Sequence, residues 1–321
     1  MTRSPLKLAA AGAFVALLAV SCTSNDDAGD TASTGATTTT AQGADHSSTT
    51  MGGVSSGAVT QTGAAELRAG LTSLLQEHVY LAGAAISQAV QAGGDMEDPA
   101  VVSATDTLDA NSVALSDAIA SVYGEDAGAQ FLELWRNHIG FFVDYTLGGA
   151  TGDTAAQDEA KQKLDDYRAD FGAFVESATG GTLDAETVAD ELQMHVDTLL
   201  DAVDAVLAGS SNVYAKLKTA ADHMPGTAAA LAGAIAEQNP DQFDGDPAST
   251  GSELRAGLTH LLQEHVYLAG LAINQAVADG GDLEAPATAN AVGALDENSV
   301  ALSDAIASVY GEDAGAQFLE L

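Results

Sequence analysis

The sequence predicts an all-α protein in which an antiparallel six-helix bundle occurs twice, the second time in shortened form. Three observations carry this. The chain matches itself without gaps at an offset of 187 residues, apolar side chains recur every third or fourth position, and glycines punctuate the periodic stretches. Alanine is abundant and strand-type alternation is nearly absent, which favours helix throughout.

The chain opens with a different signal. Arg3 and Lys7 precede an apolar run from Leu8 to Val20, followed by Ser21 and Cys22. A basic start, a short apolar stretch and a small residue before the processing point describe a secretory signal peptide over residues 1–21. Its 13 apolar residues fall short of the roughly 20 that span a bilayer. Ala19-Val20-Ser21-Cys22 resembles the bacterial lipobox, although Ala19 departs from the usual leucine. Cys22 is the only cysteine, and acylation there would tether the exported protein to the outer face of a membrane; ordinary secretion with a free thiol is the alternative. Residues 22–63 read as a Thr/Ser/Gly/Asp-rich tether, too poor in large apolar side chains to fold. The Gly53-Val54-Ser55-Ser56-Gly57 match to a nucleophile elbow falls in this low-complexity stretch, away from the strand and helix such an elbow requires.

The first repeat occupies residues 64–243. Its periodicity predicts helices near 64–93, 98–123, 126–148, 153–178, 184–208 and 211–238, with Pro225-Gly226 breaking or kinking the sixth. Leu67, Leu71, Leu74, His78, Leu81 and Ala85 form one stripe. Phe131, Leu134, His138, Phe141 and Tyr145 form a second, and Val188, Leu192, His195, Leu199, Ala202 and Val206 a third. His78, His138 and His195 lie 60 and 57 residues apart, while Asn111, Tyr167 and His223 are each 56 apart, a rhythm suggesting three related hairpins. Trp135, Phe141, Phe142 and Tyr145 read as core.

Residues 244–252 read as a linker, since the acidic stretch before them lacks the terminal glutamate of a calcium loop and has Arg255 there instead. The second repeat begins with ELRAGLTHLLQEHVYLAG at Glu253, against ELRAGLTSLLQEHVYLAG at Glu66, and residues 298–321 are identical to 111–134. The first copy continues where Leu321 stands. That predicts either that residues 253–321 are part of a longer second bundle or that they form a helical hairpin docked on the first.

With 10 basic and 46 acidic side chains the net charge is −36, and removing Arg3 and Lys7 with the leader makes it −38. Such a surface disfavours nucleic acid, whose binding rests on cationic contacts to phosphate, and equally a polybasic grip on anionic lipid. It suits solubility and cationic ligands.

The histidines are the one chemical clue. Those on the apolar stripes must find partners in the core, and several on adjacent helices can converge as ligands do in bundle interiors. The candidate metal ligands are His78, His138, His195 and His223, with Met194 and Met224 beside them and His265 as the second-copy equivalent of His78. Neutral imidazoles suit zinc or copper, and the thioethers would favour copper. The competing expectation is that each histidine bonds its own neighbour and packs the core.

The segments LLQEHVYLAG, FLELWRNHIGFFVDY, ELQMHVDTLLDA and AADHMPGTAAALAGAI together resemble a helical module of secreted bacterial proteins sometimes labelled copper-amine-oxidase-like. The resemblance implies a helical repeat and no demonstrated chemistry. True copper amine oxidases make their cofactor from an Asn-Tyr-Asp/Glu motif, which none of the seven tyrosines provides. No HExxH, G-x-G-x-x-G or P-loop occurs in the folded region either. The expectation is therefore a non-enzymatic, lipid-anchored binding or scaffold module, with an envelope metal-binding protein as the alternative and the protein partner unspecified.

Overall fold

The computed structural model describes residues 59–321; the expected leader, Cys22 and nearly all of the expected tether lie outside them. Every regular element among the described residues is an α-helix, and none is long and apolar enough to cross a membrane. The first repeat contains α1 (Gly63–Gln91), α2 (Pro99–Tyr123), α3 (Glu125–Thr151), α4 (Thr154–Ala178), α5 (Ala185–Leu207), α6 (Val213–Asp222) and α7 (Met224–Gln238). The expected sixth helix is thus two, broken at His223, because Pro225 supplies no N–H to continue the ladder.

Local chemistry sets the boundaries. The carboxylates of Asp98, Asp153 and Asp184 accept backbone N–H bonds at the starts of α2, α4 and α5, and Pro99 follows Asp98 at the first helical position. Gly124 alone turns the chain from α2 into α3, at a φ of 91° that a side chain would strain.

Successive helices pack on one another, and α1 also touches α3, α5, α6 and α7. It lies at the centre of the fold. Thr72, Gln76, Val79 and Tyr80, off the stripe read from sequence, are buried as well as Leu71, His78 and Ala85. An element enclosed on all sides has no single wet face.

The second repeat supplies α8 (Thr250–Ala278), α9 (Pro286–Tyr310) and α10 (Glu312–Leu319). The described residues form one unit, in which α8 lies along α1 and α9 touches α6. The α1–α8 contact is reciprocal. Tyr80 donates to Glu264 at 3.0 Å and Tyr267 to Glu77 at 2.9 Å, with the two rings stacked 5.1 Å apart. Arg68 donates to the Pro247 carbonyl and Arg255 to that of Thr60, while Arg68 pairs with Glu253 and Arg255 with Glu66. Every partner is displaced by the 187-residue repeat, so the two copies meet about a local two-fold, as identical subunits do in a symmetric dimer.

Candidate metal centre

Three stripes deliver three imidazoles to one place. His78 on α1, His138 on α3 and His195 on α5 are each at least 94% buried, and one ring nitrogen of each lies within 4.8 Å of the other two. The Nε2 atoms of His78 and His138 are 3.3 Å apart. Two nitrogens bound to one metal by bonds near 2.0–2.1 Å stand about 3.3–3.5 Å apart, so this pair already has chelating separation. The group can hold a metal ion.

The surroundings are aromatic. Trp135 touches the rings of His78 and His138 with centroids at 4.7 and 4.6 Å, and Tyr167 stacks on His138 at 4.8 Å. No carboxylate belongs to the group. Burial therefore acts unopposed on His78 and His195 and lowers both to about 3. It also drives His138 well below its ordinary value, helped by its two imidazole neighbours and opposed more weakly by the carbonyls of Trp135 and Leu134. All three rings are neutral at physiological pH, the form in which imidazole binds metal.

Polar atoms here lack partners. The Nδ1 atoms of His78 and His195, the hydroxyl of Tyr167 and the indole N–H of Trp135 are buried without a hydrogen bond. Folded proteins leave few such atoms, and these lie on side chains in ring contact with one another.

Of the other residues singled out by sequence, His223 stands at the α6–α7 break, 5.5 Å ring to ring from His195, outside the three-nitrogen group. Met224 is buried beside the cluster. Met194 is 55% exposed and takes no part: one position before His195 on the helix points about 100° away, towards solvent. His265 is half-buried, its Nδ1 against the Asn298 amide oxygen at 3.2 Å, and no second three-histidine group forms around it among the described residues. Its first-copy counterpart meets His138 on α3 and His195 on α5; α10 corresponds only to the first turns of α3, before the His138 position, and no described helix of the second copy corresponds to α5.

Sequence reasoning missed Trp135 and Tyr167 as parts of the site. The 56-residue rhythm had marked Tyr167, but only as a structural repeat. It also missed a polar cluster between the repeats, where Asp222, His260 and Glu264 come together. His260 replaces Ser73 of the first copy, a difference visible in the alignment of the repeats. That cluster already contains a cation: Lys218 lies 2.8 Å from Asp222 and 3.6 Å from Glu264.

Two clefts flank the histidines. One of about 320 Å³ runs between α1, α2 and α3 past His78, His138 and Phe142; the other, of about 340 Å³, is floored by His78, His138, His195, Trp135 and Tyr167. No protein-family model, curated protein or solved structure matches the chain.

Proposed function

We propose that this protein is an exported, lipid-anchored metal-binding module in which His78, His138 and His195 hold one copper ion, and that it works by binding rather than catalysis. The observation that carries this is the convergence of three buried, neutral imidazoles from three helices, two of them at chelating distance. The leader and Cys22 support an extracytoplasmic address, and the acidic surface supports attraction of cations to the envelope. We read the described helices as one six-helix bundle of three hairpins, its last helix broken, with part of a second.

Copper in its monovalent state suits the site better than zinc. Three neutral ligands leave the whole ionic charge uncompensated in an apolar interior. The cost of burying charge rises with its square, so a divalent ion carries about four times the penalty of a monovalent one. The buried thioether of Met224 is a soft neighbour that favours the same choice.

The test is metal content of the full mature chain after loading with Cu(I) under reducing conditions, or with Zn(II), followed by dialysis. About one equivalent of copper, retained against equimolar zinc, is the expected result. His138→Ala combined with His195→Ala should reduce it to background, while His223→Ala and Met194→Ala retain it. Equal metal content in the double variant and the parent would remove the proposal.

A further inference from the structure

We infer that the 340 Å³ cleft beside the histidines is a binding site for an uncharged, flat aromatic molecule of about two fused rings. The inference goes beyond the metal reading and does not require the metal to be bound.

Size comes first. An apolar cavity near 150 Å³ accommodates benzene, so a cleft of about 340 Å³ takes roughly two such rings. Phe131, Trp135, Tyr167, Phe171, Leu192 and Met224 line it. Flat aromatic walls favour a flat aromatic occupant, through offset stacking and edge contacts.

Charge is excluded on both sides. A carboxylate or phosphate would enter past Glu191 at the mouth, under the strongly negative field of the whole chain, and an ammonium would meet no anion inside.

The mouth has an evident construction. Thr187 and Glu191 on α5 face Gly226 and Ala230 on α7, and all four are exposed residues along the cleft. The break at His223 and Pro225 starts α7 as a separate helix at this point. A Cβ on Gly226 would meet no atom within 4 Å, and its φ is not in the left-handed region, so a larger side chain can be placed there without strain on the fold.

Trp135 is the only tryptophan in the chain, which makes its emission a reporter of this cleft alone. The experiment titrates metal-free, full mature protein with 2-acetylnaphthalene and follows Trp135 fluorescence, alongside naphthalene and 2-naphthoate. Saturable quenching by the ketone and by naphthalene is expected, and none by naphthoate. Gly226→Leu combined with Ala230→Leu should abolish quenching with the melting temperature unchanged or raised. Absence of saturation in the parent, undiminished quenching in the closed-mouth variant, or equal quenching by naphthoate would overturn the site. Because metal content is measured separately, loss of one property leaves the other standing.

Discussion

Protonating His78 or His195 in the folded protein would place a cation among Trp135, Tyr167 and Phe142 with no carboxylate to receive it, which is why burial lowers both to about 3. The unfolded chain has no such penalty and takes up protons near pH 6.5. Between these values the unfolded state binds more protons, so the metal-free protein is fully stabilised above about pH 6.5 and loses stability as pH falls towards 3. Each such histidine removes up to about 1.4 kcal/mol per pH unit in that window, and His138 acts in the same direction. Acid titration of the apoprotein by circular dichroism should therefore show cooperative unfolding between about pH 4 and 6. His195→Leu should move the midpoint to lower pH, and an unshifted midpoint would mean that the ring is reached by water. At this scale much of the site was legible. Helical spacing placed the three histidines on inward stripes, and the same period, applied to Met194, would have excluded it. Convergence was not legible, because it depends on the relative rotation of three helices whose stripes each span several residues.

The elements are held in register by close approaches that only glycine permits. Gly172 on α4 faces the carbonyl oxygen of Ala185 at the start of α5, and an added Cβ would clash with that oxygen. This approach sets the angle at which α5 leaves its N-cap Asp184 and carries His195 inward. Gly172→Ala should cost about 1–3 kcal/mol in urea unfolding, since backbone is the obstacle and cannot rotate away. Gly226→Ala, in open space on a helix, should gain up to about 1 kcal/mol from helix propensity. Equal effects from the two substitutions would show that α4 and α5 do not pack as closely as described. Glycine punctuation and proline located nearly all of these helices in advance, since both act through the local backbone. The role of α1 was not visible in the same way. Its stripe accounts for contacts with α3 and α5, whereas Gln76 and Tyr80, outside that stripe, are buried by α8.

For the molecule as a whole, the repeat was plain in the sequence but the way its copies meet was not, because identity between segments does not say which face pairs. The local two-fold makes the two halves of the α1–α8 contact chemically alike and leaves their environments different. Glu264 is fully buried: its Oε1 accepts from Tyr80, its Oε2 from Asn298, and Lys218 stands 3.6 Å away. Glu77 accepts from Tyr267 and Asn111 in the matching pattern but is only half-buried. Tyr80→Phe keeps the stacked ring and strips Oε1 of Glu264 of its hydrogen bond where water cannot replace it, at a cost of about 1–3 kcal/mol. Tyr267→Phe removes the symmetric bond from Glu77, where water can take its place, and should cost about 0.5–1 kcal/mol. Urea unfolding at pH 7.5 compares the two directly. A larger loss from Tyr80→Phe is expected, because sequence symmetry sets the partners while burial sets what each bond is worth; equal losses would mean that the repeats separate often enough for water to reach Glu264.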